Sequence, residues 1–206
     1  MKLKITHAVI ITVMSAVVFI SCRKDHNEQF ADNVAADELL LSANKQIEGL
    51  PDSLKVPEGN RLVDEGYAEG FQIYQVKRSA ANPNVFTWVN IAPLAKLFTK
   101  PDFRELMALH FVGPTWQIVK GHNHGQTVVG RKLVGVTPDA SAIQWLLLQA
   151  VDSLSSANNN ITYIQRINTV GGLAPTTGAD EAHLGQLDSI PYRAKYLFYE
   201  ANPPKH

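Results

Sequence analysis

The sequence predicts an all-β fold, a single antiparallel β-sandwich or barrel-like domain, and three observations predict it. From about Val56 onward, apolar residues recur with a period of two far more often than with the 3.6 of a helix. The runs are short and are separated by clusters of Gly, Pro, Asn and Ser, such as "SAANPN", "KGHNHGQ", "SANNN" and "GGLAPTTG". The composition, 45% hydrophobic and 18% charged over 206 residues, suits one globular domain with a sizeable core.

The N-terminus reads differently. "MKLKITHAVIITVMSAVVFISC" has two lysines, Lys2 and Lys4, then an apolar run from Ala8 to Ile20, then Ser21 before the only cysteine, Cys22. That is the layout of a targeting segment. "VFISC" resembles the bacterial lipobox, with Phe19 where Leu is usual, so residues 1–21 are expected to be a lipoprotein signal peptide and Cys22 the acylated residue. An uncleaved anchor helix needs about 20 apolar residues, whereas this run is short and broken by Thr12 and Ser15. Multiple acyl chains anchor stably where one does not. The expectation is a chain lipid-anchored in the bacterial cell envelope, periplasmic or surface-exposed, whose membrane partnership runs through Cys22. Acylation of the sole cysteine leaves no disulfide, so stability must come from the core.

Residues 22–55 are expected to hold the lipidated cysteine, a polar tether and a connector. "RKDHNEQFADNVAAD" is polar and mixed in charge. "ADELLLSANKQI" reads as a possible short helix capped by Asp37, and "GLPDSLKVPEGN" as the connector. The β domain then spans 56–206.

Within it, "FQIYQVK" (71–77), "VFTWVNI" (85–91), "LHFV" (109–112), "WQIV" (116–119), "TVVGRKLV" (127–134), "ITYIQRIN" (161–168) and "YRAKYLFYE" (192–200) read as strands. In the last, Tyr192, Ala194, Tyr196 and Phe198 share one face and Arg193 and Lys195 the other. "VFTWVNI" is apolar on both faces, as a strand covered on both sides would be. "SAIQWLLLQAVDSL" (141–154) is ambiguous: Ile143, Leu146, Leu147, Ala150, Val151 and Leu154 form a helical stripe, while "WLLLQAV" also suits a buried strand.

Taken together, "VPEGNRLVDEGYAEGFQIYQVKRS", "FTWVNIAPLAKLF", "LHFVGPTW", "AIQWLLLQA", "TYIQRINTVGGLAPTTGAD" and "PYRAKYLFYEAN" resemble the family known as domain of unknown function 3455, over about Val56 to Asn202. The resemblance implies a secreted or periplasmic protein and no established activity. Many members carry Cys where this chain has Val76 and Ala179. If those cysteines pair in relatives, the resemblance implies that Val76 and Ala179 sit at a disulfide-like Cβ separation of roughly 4 Å. Members also often carry Pro at the position of Gln144, which suits a strand edge or a first helical turn and leans 141–154 toward strand.

Formal net charge is zero, and a charge balance of that kind gives no electrostatic footprint for nucleic acid. "GGLAPTTGADEAHLGQ" (171–186) lacks the spacing and lysine of a phosphate loop, and no G-x-G-x-x-G joins a strand to a helix, so no cofactor is expected. Asp180 and His183, three apart, could share a helical face, but no G-x-S-x-G elbow supplies a nucleophile. His122 and His124 in "GHNHG" would point the same way on an extended segment, as paired metal ligands do, without a third ligand at defined spacing. His110 is a candidate general base or pocket hydrogen-bonder, and equally a core histidine satisfied by a carbonyl. Arg166, in the otherwise apolar "TYIQRI", is a candidate for bidentate recognition of a carboxylate or sulfate, or a surface arginine. Trp116, which follows the "GP" turn, and Tyr74 are the aromatic candidates for a ligand pocket.

The expected function is therefore an envelope-anchored lipoprotein whose β domain binds an unidentified small molecule, glycan or protein. Two alternatives stand beside it: a small-molecule enzyme using acid–base chemistry on His110, Arg166, Asp180 and His183, and a structural envelope component. Convergence or scatter of those four side chains distinguishes the enzyme from the rest.

Overall fold

The computed structural model describes residues 49–203. The signal peptide, Cys22, most of the tether and the helix expected in "ADELLLSANKQI" lie outside the described residues. Eight strands follow one another in chain order: β1 (Asn60–Arg78), β2 (Phe86–Phe98), β3 (Leu106–Phe111), β4 (Thr115–Ile118), β5 (Thr127–Val136), β6 (Trp145–Ala150), β7 (Ile161–Gly171) and β8 (Leu187–Ala201). Each pairs antiparallel with the next, and β1 closes on β8 from Asn60↔Ala201 to Gln75↔Leu187. The sandwich-or-barrel alternative resolves to a closed up-and-down barrel. Closure removes the unpaired edges that an open sheet must protect.

The segment 141–154 holds a strand, β6, followed by a single 3-10 turn at Asp152–Leu154. Its apparent helical stripe arises because both faces of β6 are apolar and both are covered. Leu146, Leu148 and Ala150 face the barrel interior, while Leu147 packs outward against a second cluster of Leu54, Val56, Ile167, Leu197 and Tyr199. That outer cluster exists because the chain before β1 returns as a strap across β5 to β8. Leu54, in the 3-10 turn Asp52–Leu54, is fully buried, and its carbonyl accepts a hydrogen bond from Gln165 Nε2 at 2.7 Å. Gln165 Oε1 in turn accepts from the Tyr199 hydroxyl at 2.7 Å. The packed unit thus begins upstream of Val56, within what reads in the sequence as connector.

Strand β2 departs from its expected double burial. A bulge between Ile73 and Tyr74 of β1 leaves Ile91 unmatched on β2, so Tyr74 pairs with Asn90 rather than Ile91. The bulge resets which residues point inward, and Val85, beside the strand, is 42% exposed. The apolarity of "VFTWVNI" on both faces reflects this change of parity rather than two covering layers.

Inside the barrel, the end formed by the first half of β1 and the last half of β8 is filled. Ala68, Leu97, Ala108, Ile118, Val128, Ile164 and Phe198 are all buried there in one cluster. At the opposite end the strands diverge around a hollow.

A polar and aromatic cavity at the open end

A cavity of about 490 Å³ occupies this second end, below the turns β3–β4, β5–β6 and β7–β8. An eight-stranded barrel is wide enough to be filled by its own side chains or to hold one small ligand, and here the two outcomes sit end to end. The hollow follows from what the strands turn inward: Gln72 and Tyr74 on β1, Asn90 and Pro93 on β2, His110 on β3, Trp116 on β4, Leu146 and Leu148 on β6, Arg166 on β7 and Tyr196 on β8.

Register brings the aromatic wall together. His110 pairs with Ala95 on one side and Trp116 on the other, and Trp116 pairs with Val128. The His110 and Trp116 rings stack with centroids 4.4 Å apart and 6° between planes, and Tyr196 meets both edge-on. Gly130 makes room for the indole: a Cβ there would lie 3.0 Å from Trp116 Cζ3 and 3.3 Å from Leu148 Cδ2. The "GPT" turn supplies the remaining constraint, because the Thr115 carbonyl lies 2.9 Å from His110 Nδ1. A carbonyl only accepts, so it fixes the proton on Nδ1 and leaves Nε2 as an acceptor. Burial drives the His110 pKa down to about 3, with the Arg166 charge acting in the same direction and the Thr115 bond against it. The ring is neutral at physiological pH.

Arg166 enters from β7, paired with Leu146 and Tyr196. Its Nε and Nη2 both donate to the Gln144 carbonyl, at 3.1 and 2.9 Å. That carbonyl is free because Gln144 lies between the last turn of the β5–β6 connection and β6. The connection is stitched to β7 through Ile143, whose N–H donates to the Gly171 carbonyl at 3.0 Å and whose carbonyl accepts from Thr169 Oγ1 at 2.6 Å. At the mouth, Lys132 Nζ donates to Gln144 Oε1 at 2.8 Å.

The segment "GGLAPTTGADEAHLGQ" is the β7–β8 connection, and its first residues form the rim. Gly172 has φ +80°, and a Cβ there would come within 2.8 Å of the Tyr192 Cβ, so the turn requires glycine. Its carbonyl accepts from the Tyr74 hydroxyl at 2.7 Å. Further along, Trp88 Nε1 donates to the Thr177 carbonyl at 2.7 Å. Val76, the register partner of Trp88, exchanges backbone bonds with Gln186 and Gly185 at 3.0 and 2.9 Å. The connection is therefore pinned on the "YQV" strand, with Ala179 just beyond the Trp88 contact.

The four residues grouped as an acid–base set divide. His110 and Arg166 line the cavity. Asp180 and His183 are exposed on the connection and satisfy each other: the Asp180 carboxylate accepts from the His183 N–H at 3.1 Å and lies 2.6 Å from its Nδ1. This caps the single 3-10 turn Glu181–His183, and the His183 bond lowers the Asp180 pKa. The pair is a local cap held outside the cavity.

His122 and His124 lie in the β4–β5 turn at the filled end. The main-chain N–H groups of His122 and Asn123 donate to the Asp64 carboxylate at 3.1 and 3.2 Å, and His122 Nε2 lies 3.3 Å from Glu200 Oε2. Among the described residues no group of three or more His, Cys, Asp or Glu side chains could hold a metal ion. Trp116, Arg166 and Tyr74, chosen from the sequence as ligand contacts, do line one cavity. Sequence reasoning missed Gln72, Asn90 and Lys132. Gln72 was within reach, since it shares the inward face of "FQIYQVK" with Tyr74 and Val76, where a buried amide is unusual.

No curated protein and no solved structure matches the chain. The family model described as "Protein of unknown function (DUF3455)" matches residues 57–200, from just before β1 to the penultimate residue of β8, and the chain belongs to that family.

Proposed function

We propose that this chain is an envelope lipoprotein, acylated at Cys22, whose barrel binds a small molecule through its open end. The observation that carries the binding half is the cavity itself: about 490 Å³, with an aromatic wall, a fixed arginine and a mouth framed by three turns. Ligand sites are concave, mostly apolar and supplied with a few placed polar groups, and this hollow stands against an opposite end of the same barrel that is packed shut. The anchoring half rests on the apolar run and the lipobox-like "VFISC". Glycans and other small polar molecules fit the same wall and edge chemistry of Trp116 and Tyr196.

Two measurements test the two halves. Metabolic labelling with palmitate should mark the chain, and Cys22→Ala should abolish the label and release the protein from the membrane fraction. Thermal-shift screening of the full chain against small carboxylates, glycans and divalent metals should find a stabilising compound. At 100 times its Kd, a compound bound only by the native state stabilises it by about 2.7 kcal/mol. A cooperative melt unmoved by every compound would shift the function to a protein partner or a structural role.

A further inference from the structure

We infer that the ligand is an organic oxyanion, a carboxylate carried on a flat apolar body, with its charged group set against Arg166 and its body along the Trp116 wall. This rests on the binding reading of the cavity and adds to it the chemical class of the occupant.

The first ground is charge. Among the described residues Arg166 and Lys132 line the cavity, and no Asp or Glu does. Among the described residues Arg166 has no carboxylate partner, and its only side-chain hydrogen bonds go to the single Gln144 carbonyl. One carbonyl dipole does not neutralise a guanidinium, and Nη1 is left without a protein acceptor among those residues. A cation held inside a barrel without a counter-charge favours an anion at its free edge.

The second ground is an excess of donors. Five buried side-chain nitrogen and oxygen atoms among the described residues have no hydrogen-bond partner, and two of them, Gln72 Nε2 and Trp116 Nε1, belong to cavity-lining residues. Both side chains are almost wholly buried, Gln72 at 4% and Trp116 at 1% exposure. The Gln72 orientation is assigned by Asn90, whose Nδ2 donates to Gln72 Oε1 at 3.0 Å and so leaves the Gln72 NH₂ as the open end. An indole N–H only donates. Both nitrogens lie beneath the cavity surface rather than on it, so Arg166 Nη1 is the donor that the cavity presents directly, and these two become available to an occupant only through a side-chain shift.

The third ground is shape. A carboxylate matches the planar fork of one arginine. A single half-buried guanidinium balances a monoanion, while a dianionic phosphate would need further cations, and Lys132 is exposed at the mouth with its ammonium already bonded to Gln144. Pro93, Ile143, Leu146 and Leu148, with the face of the His110–Trp116 stack, give the lining an apolar part that suits the body. The neutral His110, with Nε2 as acceptor, adds one place for a hydroxyl or N–H of the ligand.

The experiment is calorimetric titration of the full chain with matched acid and amide pairs: benzoate and benzamide, 1-naphthylacetate and 1-naphthylacetamide, decanoate and decanamide. A fourth arm, 1-naphthalenesulfonate, separates carboxylate from the wider class of oxyanions. The inference expects at least one acid to bind about tenfold or more tightly than its amide. It expects Arg166→Gln to reduce that preference to within about twofold while the amide's affinity is kept, and Arg166→Lys to retain part of it. The lysine variant also covers the case in which the glutamine variant fails to fold. Equal binding of acid and amide, or a preference that survives loss of the guanidinium, overturns the inference and leaves the binding reading standing. Sulfonate binding tighter than any carboxylate overturns the carboxylate assignment. Binding by no member, charged or neutral, overturns the inference, and the binding reading then stands or falls with the wider thermal-shift screen.

Discussion

The two ends of the barrel are made by the same eight strands and differ only in what those strands turn inward. At the filled end Ala68, Leu97, Ala108, Ile118, Ile164 and Phe198 interlock, each at most 1% exposed. At the open end the same strands present Gln72, Tyr74, Asn90, His110 and Arg166 around a cavity. Close packing of aliphatic side chains lets no space persist, whereas polar side chains that must reach partners hold their neighbours apart. The difference teaches that dense packing and a hollow are separated along the strand axis, and with them, on the proposed reading, stability and recognition. Substitutions at one end should leave the other's property in place, and four experiments would break or sharpen that separation.

The largest effect belongs to the filled end. Leu97→Ala removes most of a fully buried side chain that does not line the cavity and should cost about 2 to 5 kcal/mol in urea denaturation. The folded fraction should bind ligand with unchanged affinity. A comparable loss of affinity per folded molecule would show that the ends are coupled.

Next comes the acid sensitivity that the open end confers. His110 has a native pKa of about 3 against the ordinary 6.5. The unfolded chain therefore takes up a proton on this ring, as pH falls below 6.5, that the native state refuses. The depressed native value means that the contribution is complete above pH 6.5 and is lost as pH falls toward 3, at up to about 1.4 kcal/mol per pH unit. Wild type and His110→Gln share the same carboxylates, so the difference in their stability slopes between pH 6.5 and 5 isolates the ring. The variant should show the shallower slope, and parallel slopes would contradict a buried neutral histidine.

Tyr74→Phe tests the rim. It deletes the bond from the hydroxyl to the Gly172 carbonyl and should cost about 1 kcal/mol, with faster amide hydrogen exchange confined to the start of the β7–β8 connection. Smallest of all is His183→Ala. The His183 and Asp180 side chains are exposed and paired outside the cavity, so melting temperature and ligand affinity should both stay at wild-type values. A loss of binding in this variant would bring the connection's outer half into the site.

The sequence by itself determined that the domain is β, where most strands lie, and which residues share a face. The alternation of Tyr192, Ala194, Tyr196 and Phe198 against Arg193 and Lys195 is a consequence of pleating and needs no fold to be seen. It also marked Trp116, Arg166 and Tyr74, because a turn-adjacent tryptophan, an arginine in an apolar strand and a half-polar aromatic stand out against their neighbours. Tertiary structure alone decided the rest. Period two names two faces but not which is inside. For β6 both faces are apolar, and only the strap carrying Leu54 explains the outer one. The bulge at Ile73/Tyr74 reverses parity midway along a strand pair, which a local pattern cannot register. Closure of β1 on β8, the separation of Asp180 and His183 from His110 and Arg166, and the seating of one guanidinium on the Gln144 carbonyl all depend on contacts between residues far apart in the chain. Alternation is a property of the backbone, whereas a cavity is a property of what eight strands leave empty between them.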